Sequence, residues 1–337
     1  MTEKHRVTLG LEEEVFVLEK DRLTPTLQSL DYLRKLYWKN PRKYTTQSAS
    51  NFAKSEDRRE CFMGSVEIST GKHTNVDRLL EDLVQRRKEF AEAARGGLIV
   101  PVGGLFTLKS PSNTASSHIH VGVSNERRDL VYDNLAYFTP VLAVAAANSP
   151  LAAGEWTGLS YRMSCEGLLG PLREDREYRF QDLIISKRLG TIEMRVFDPM
   201  PEVWRLREIL LAIQAIARTD ERFPFDREVY NEERKTWTVQ GCTPHVERLW
   251  RELQPVYSFS EELIRSPLSD LLGRIARQGG VEKAYLEADK IWREPTDTHP
   301  QLKRHSKVRT LTGLAGYYAI RLPYMAYKGY KEWYGKT

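Results

Sequence analysis

The sequence contains few cysteines and lacks the short motifs that mark several common enzyme classes. Its three cysteines are Cys61, Cys165 and Cys242, with no CxxC pair. So sparse a set argues against a disulfide framework and against a structural zinc site. There is no GxxxxGK[ST] loop, no GxGxxG after a strand and no GxSxG elbow. These absences argue against P-loop and Rossmann nucleotide binding and against serine hydrolase chemistry.

Long apolar runs and a secretory signal are also missing. The longest apolar stretch, around residues 141–147, is far shorter than the roughly 20 residues that a membrane-spanning helix needs. The first six residues are polar, and acidic residues follow soon after them. We therefore expect a cytoplasmic protein without a membrane partner.

Neither sign of charge dominates the composition. The 51 basic and 46 acidic residues give a formal net charge of +5. Attraction to small anionic molecules explains this bias as well as nucleic-acid binding does. The aromatic and basic stretch 317–331 is better explained as one face of a long amphipathic helix. We therefore expect no nucleic-acid partner.

Predicted strands concentrate in the first two thirds of the chain, among helices, and the end is predicted to be helical. The sequence is not the regular βαβ alternation of a doubly wound fold. It predicts an α+β fold, in which a mostly antiparallel sheet is backed by helices, as a single domain over 1–337. The sheet-forming core is expected over about 5–220 and a helical tail over about 243–335. The polar segment 43–57 is predicted as a loop, and Pro323 should kink or split the last helix.

Four predicted strands carry polar groups two residues apart. Because side chains alternate along a strand, each pair points to one side. If the strands are neighbours, all four pairs line one concave face. Glu60 lies close in sequence, and a bulge or turn near Gly64 would bring it to the same face. The pairs are Glu12 and Glu14, Glu67 and Ser69, His118 and His120, and Glu193 and Arg195.

Crowded carboxylates of this kind favour a divalent-cation site. Uncompensated, they repel one another and take up protons. Oxygen-rich sites suit Mg²⁺ or Mn²⁺, and Mg²⁺ commonly joins protein carboxylates to substrate phosphates. Each segment taken singly has a simpler explanation, such as a solvated acidic edge or a cross-strand salt bridge. Their combination in one chain favours a metal site that handles a nucleotide phosphate.

The ordered segments GLEEE, EIST, HIHVG, NSP, SYR and GTIEMRVFD resemble the type 2 glutamate–cysteine ligase family, which includes the bacterial carboxylate–amine ligases. The resemblance covers roughly residues 7–217. It implies a curved, glutamine synthetase-like sheet and an ATP-dependent reaction that forms an amide, which could be a γ-glutamyl bond, through an acyl phosphate. The implied cofactors are ATP and two or three Mg²⁺ or Mn²⁺ ions, and the implied partners are a small carboxylate and an amine. A homo-oligomeric assembly is compatible with this resemblance.

The family pattern also implies roles for individual residues. Glu14, Glu60 and Glu67 resemble the ligands of one metal ion, and Glu12, His118 and Glu193 those of another. His120 and Ser69 resemble groups that contact the nucleotide phosphates. Arg195 resembles the arginine that stabilises the transferred phosphoryl group, and Arg162 one that grips phosphate or substrate carboxylate.

Departures from the family pattern concern the substrate. Met63, Leu105, Phe106 and Tyr161 are more apolar than the residues that relatives carry there. If these side chains form the wall of the substrate pocket, they predict a substrate with a larger apolar portion than cysteine has. If they are instead part of the hydrophobic core, they carry no information about the substrate. Two other functions stay open at this stage. One is a kinase or phosphotransferase that uses the same site, and the other is a non-catalytic nucleotide-binding protein.

Overall fold

The computed structural model of the protein describes residues 5–19, 23, 28–50, 65–110, 114–165, 169–303 and 306–334. The strands are β1 (Thr8–Leu18), β2 (Ser48–Ser50), β3 (Val66–Ser69), β4 (Leu98–Val100), β5 (Ser117–Gly122), β6 (Leu151–Ala152), β7 (Glu155–Trp156), β8 (Leu183–Ile185) and β9 (Ile192–Met194). The helices are α1 (Gln28–Lys39), α2 (Pro41–Gln47), α3 (Val76–Ala93), α4 (Arg128–Ala146), α5 (Tyr161–Ser164), α6 (Val203–Arg218), α7 (Arg227–Gln240), α8 (Pro244–Leu253), α9 (Glu261–Arg265), α10 (Leu268–Gly279), α11 (Val281–Arg293) and α12 (Lys307–Tyr334).

One antiparallel sheet organises the molecule. Its strands lie in the order β2-β3-β1-β5-β9-β8, and β4 pairs with the end of β1. Every strand pairing in this sheet is antiparallel. The expected α+β class and antiparallel sheet are confirmed. The expectation of a single domain stays a prediction.

Most of the helices cover one face of the sheet, while α10 and α11 pack with Phe16 and Leu18 at the end of β1 that pairs with β4. In β1, Leu9, Leu11 and Val15 are buried in a hydrophobic core that also contains Leu83 of α3 and Leu142 of α4. The other face, which carries the alternate residues of each strand, is where the polar pairs lie. Among the residues that the structure describes, no helix has the length and apolar character needed to cross a membrane.

Several helix boundaries follow from local chemistry. Asn75 caps α3 by accepting a hydrogen bond from the Arg78 amide, as its sequence predicts. Asp226 caps α7 by accepting from two amides of the first turn. The helix over 227–240 therefore begins directly after a residue whose side chain satisfies amides of its first turn.

The prediction of a loop over 43–57 is wrong for residues 43–50, which the structure describes as helix and strand. Pro41–Gln47 form α2, which Pro41 begins and Asn40 caps by accepting from the Lys43 amide. Ser48–Ser50 add a strand to β3. Residues 51–57 of the predicted loop lie outside the described residues.

The two internal prolines do not divide their helices. Pro140 lies inside α4, which runs unbroken from Arg128 to Ala146. Pro323 lies inside α12, which is one continuous helix, so the helix is not split there; a kink at Pro323 stays a prediction. Packing overrides the loss of one main-chain hydrogen bond in α4, since almost the whole helix is buried.

Candidate active site

The strand register brings the polar pairs to one face of the sheet. Glu14 lies opposite Glu67 and Glu12 opposite Ser69 between β1 and β3. Glu12 also lies opposite His118 on β5, and His120 lies opposite Glu193 on β9. Directly opposed residues point to the same side of a sheet. Glu60, which was expected to join them, lies outside the described residues.

A chain of contacts runs across this face. The Ser116 hydroxyl donates to Glu14 Oε2 at 2.6 Å, and it lies 2.8 Å from His118 Nε2. The other ring nitrogen of His118 lies 3.5 Å from Glu12 Oε2 and 3.8 Å from Glu193 Oε1. Each imidazole nitrogen of His118 is therefore turned toward a carboxylate, directly or through Ser116.

The second histidine of the pair is also held in place. His120 Nδ1 lies 3.1 Å from the Thr191 hydroxyl. Its Nε2 lies 3.5 Å from Glu12 Oε1, and this buried nitrogen has no hydrogen-bond partner among the described residues. A ring nitrogen that is buried, aimed at the carboxylate cluster and without a hydrogen bond is suited to contact a ligand.

The electrostatics of the cluster keep its central carboxylate ionised. Burial alone would raise the pKa of Glu12, but the neighbouring imidazoles of His118 and His120 outweigh burial and hold this pKa well below its usual value. Burial alone would lower the pKa of His120, whereas the Glu12 and Glu193 carboxylates raise it overall. Glu12 is therefore an anion at neutral pH, and the imidazoles supply part of its compensation.

Arg195 lies beside Glu193 on the same face. Its guanidinium donates to Glu193 Oε1 and is 14% exposed. The Nε of Arg195 is buried without a hydrogen-bond partner among the described residues. The Glu193 carboxylate thus holds one edge of the Arg195 guanidinium in place. The guanidinium is partly exposed on the same face as Glu193, where it can contact an anionic substrate.

Arg162 is placed differently from its predicted role. Its guanidinium donates to the main-chain carbonyls of Arg195 at 2.7 Å and Val196 at 2.8 Å, with a longer contact of 3.3 Å to Phe197. Burial lowers the pKa of Arg162, partly offset by the negative charge of Asp198. A grip on substrate stays a prediction; in this structure Arg162 holds the chain segment that follows β9.

A buried polar network underlies that segment. Asp198 accepts hydrogen bonds from the Ser149 and Ser160 hydroxyls at 2.9 and 3.0 Å. The amide of Asn148 also donates to Asp198, at 2.9 Å. A side chain at Gly103 would overlap Asp198, since its Cβ would lie 2.3 Å from the carboxyl carbon. The NSP and SYR segments therefore serve to fix the backbone beneath the site.

The prediction that four apolar residues form a substrate wall is wrong for two of them. Leu105 and Phe106 are fully buried in a second hydrophobic cluster, which contains Tyr285 of α11. The Phe106 and Tyr285 rings lie 5.3 Å apart. These side chains have no surface to offer a substrate because they fill the space between β4 and the helical tail. Met63 lies outside the described residues, and Tyr161 is nearly buried.

A cavity of about 730 Å³ opens next to the carboxylate cluster. Glu12 and His120 are among the residues that line it, and Arg6, Lys72 and Arg128 bring positive charge to its walls. Gly10 and Gly122 also line it. This volume is typical of a site for a small organic ligand or cofactor.

Sequence reasoning missed two polar residues that the same rule would have found. Ser116 lies two residues before His118, and Thr191 lies two residues before Glu193, so both share the face. Ser116 joins Glu14 to His118, and Thr191 contacts His120.

The fit of this donor set to a divalent cation rests on its chemistry. Glu14 and Glu67 are opposed carboxylates, an arrangement that a cation would stabilise. Glu12, Glu193 and His118 could supply further ligands of the type that Mg²⁺ and Mn²⁺ accept. Within the described parts of the chain, no three acidic, histidine or cysteine side chains already form a metal-binding group.

Comparison with known proteins gives two kinds of similarity. The chain is 28% identical to a protein from Nocardioides sp. that carries the name glutamate–cysteine ligase 2-1, over 243 residues that take in 56% of this chain and 62% of that one. It is 24% identical to a Ruegeria pomeroyi protein named glutamate–cysteine ligase 2, over 63% of this chain and 65% of that one. The chain thus spans less than two thirds of these relatives. No family model matches it.

Among solved structures, the fold is similar to a glutamate–cysteine ligase from Francisella tularensis in complex with AMP. The TM-score is 0.62 at 10% identity, over 95% of this chain and 94% of that one. The two sequence matches confirm that the chain resembles the glutamate–cysteine ligase family, and the structural match confirms the expected fold.

Proposed function

We propose that this chain is an ATP- and Mg²⁺-dependent carboxylate–amine ligase that forms an amide bond through an acyl phosphate. The observation that carries the proposal is the single sheet face shared by Glu12, Glu14, Glu67, His118 and Glu193. The similarity to named glutamate–cysteine ligases supports it. The AMP that the similar Francisella protein binds supports a nucleotide as the ligand.

The chemistry has two steps. A carboxylate oxygen of the substrate attacks the γ-phosphorus of ATP, and the bond to the ADP oxygen breaks. The amine nitrogen then attacks the acyl carbon, and phosphate leaves with the former carboxylate oxygen. Bound Mg²⁺ would neutralise phosphate charge in the first step. We assign its binding to Glu12, Glu14, Glu67, His118 and Glu193, together with Glu60.

The protein's cations would act on the transferred group. Arg195 is close enough to the face to donate hydrogen bonds to the γ-phosphoryl oxygens. His120 Nε2, which lies 3.5 Å from Glu12 and makes no hydrogen bond to a described residue, is suited to a phosphate oxygen. Ser69 lies opposite Glu12 and could donate to the same phosphates. The cavity beside Glu12 and His120 has the volume and the positive walls to hold the nucleotide.

An ADP-release assay tests the function. The protein is incubated with ATP and Mg²⁺, and amino acids are offered as carboxylates with and without a panel of amines. A ligase releases ADP and phosphate and yields an amide when both substrates are present. A stable phosphorylated acid without amide would identify a phosphotransferase. ATP binding without turnover across the whole panel would identify a nucleotide-binding protein.

A further inference from the structure

The C-terminal helix α12 has one side fixed against the rest of the molecule. It packs on α1, where the Tyr37 and Tyr317 rings stack with their centroids 5.7 Å apart. Gly313 allows close approach, since a Cβ there would lie 2.6 Å from the Asp31 Cβ. Arg321 donates to the Tyr37 hydroxyl at 2.6 Å. The rotation of α12 about its axis is therefore set, which also determines the side that it turns outward.

The outward side of α12 is a stripe of apolar side chains. Val308 is 74% exposed, Leu311 66%, Leu322 57% and Met325 48%. Together with the exposed Ala315 and with Tyr318, which is partly buried against the core at the border of this side, these positions recur at alternating spacings of three and four residues. They therefore lie on one side of the helix. Scattered apolar residues are ordinary on a protein surface, whereas a continuous stripe indicates an interaction site.

The charge of this region excludes several partners. The helix α12 has five basic residues and one acidic residue, Glu332, while the whole chain has a net charge of only +5. Of the five, Arg321 is turned inward to Tyr37. A second copy of the helix would bring like charges together, since α12 has five basic residues and only one acidic residue, Glu332, to pair with them. A nucleic acid would use the charges but leave the aliphatic stripe in water. A surface that combines negative charge with accessible hydrocarbon satisfies both features.

We propose that the outward side of α12 binds the surface of an anionic lipid bilayer. The helix would lie in the plane of the interface, with Leu311 and Leu322 among the acyl chains and Lys307 and Arg309 near the head groups. The sequence-based expectation of no membrane partner considered only spanning segments. A helix that lies on the surface is a different arrangement, and it is compatible with the absence of a spanning helix among the described residues.

Vesicle sedimentation with the full chain tests the proposal. The protein is mixed with vesicles of phosphatidylcholine alone or of equal parts phosphatidylcholine and phosphatidylglycerol, at low and high salt. We expect binding to the anionic vesicles, weak or no binding to the neutral ones, and weaker binding as salt rises. The double variant Leu311→Asp/Leu322→Asp should lower the affinity about tenfold or more, because it places charge among the acyl chains.

A matched control separates this effect from general damage. Val229 on α7 is also an exposed apolar residue, at 48%, and Val229→Asp should leave vesicle binding unchanged. All variants should keep the wild-type thermal midpoint. If the wild-type chain bound neither the anionic nor the neutral vesicles, the proposal would be overturned. It would also be overturned if the double variant converted a dimer into a monomer in sedimentation velocity, or if the chain preferred a polynucleotide to anionic vesicles.

Discussion

Glu13 and Arg87 form an ion pair in which both side chains are completely buried. The Arg87 guanidinium donates to the two carboxylate oxygens of Glu13 at 2.5 and 3.0 Å, and the Trp292 indole donates to the same carboxylate at 3.1 Å. Glu12 and Glu14 point to the opposite side of β1. The run of three glutamates therefore divides into two residues for the site and one that joins the sheet to α3 and α11.

Breaking this pair should destabilise the fold. Glu13→Leu leaves the Arg87 charge buried without its carboxylate, which should lower the free energy of unfolding by about 3–5 kcal/mol. Urea denaturation monitored by circular dichroism measures the change. The exposed pair Arg78 and Glu81 on the same helix supplies the control, and Glu81→Leu should change stability by less than about 1 kcal/mol. Equal effects of the two substitutions would contradict the structural role of Glu13.

Removing one site carboxylate should lower turnover sharply without unfolding the protein. Glu193→Gln keeps the size of the side chain but loses the negative charge that a cation requires. We expect ADP release to fall by about 100-fold or more, with the unfolding midpoint close to that of the wild type. The control is Glu155→Gln, on the exposed strand β7. Wild-type turnover in Glu193→Gln would remove this residue from the mechanism.

Replacing Arg195 should affect turnover more than ATP affinity. The guanidinium charge matters most as phosphoryl transfer develops, so Arg195→Ala should lower kcat by about 100-fold to 1000-fold and change the KM for ATP much less. Arg179→Ala, at an exposed position on the same segment of chain, should leave both parameters unchanged. A rise in KM with unchanged kcat would assign Arg195 to ground-state binding instead.

The pH dependence of stability should report on Asp82. This residue accepts hydrogen bonds from the Gly71 amide at 2.7 Å and from Arg86 at 2.7 Å. Burial alone would raise the pKa of Asp82, but the bonds from Arg86, Gly71 and His73 lower it overall. A depressed folded-state pKa contributes stability that is present above the unfolded value of about 3.9 and is lost as pH falls through the folded value.

Asp82→Asn should therefore remove part of the acid sensitivity. Between pH 7 and pH 3 the wild type should lose more unfolding free energy than this variant. Asp77→Asn, at an exposed residue of the same helix that pairs with Arg207 at 2.9 Å, should follow the wild type closely. Parallel pH profiles for the wild type and Asp82→Asn would show that Asp82 does not carry the effect.

The sequence predicted the face of the site because strand periodicity is a local property. Residues two apart share a side whatever the strand pairs with, so Glu12 with Glu14 and His118 with His120 could be paired before any fold was known. Ser116 and Thr191 obey the same rule and were omitted only because their hydroxyls are weaker signals than carboxylates.

Other features depend on contacts between distant parts of the chain. Leu105 and Phe106 looked like a pocket wall, and they are core because α11 brings Tyr285 against them from 179 residues away. The surroundings of Arg162 could not be predicted either, since they consist of main-chain carbonyls rather than side chains. The three-residue strand β8 carries too short a pattern to be distinguished from a loop.

The most direct test of the account follows an oxygen atom. The carboxylate substrate that releases the most ADP in the screen is labelled with ¹⁸O at its reacting carboxyl group, and the products are analysed by mass spectrometry. An acyl-phosphate mechanism requires one ¹⁸O atom in each inorganic phosphate released with the amide. Label in AMP, or unlabelled phosphate accompanying amide formation, would contradict the proposed phosphorylation of the carboxylate on this sheet face.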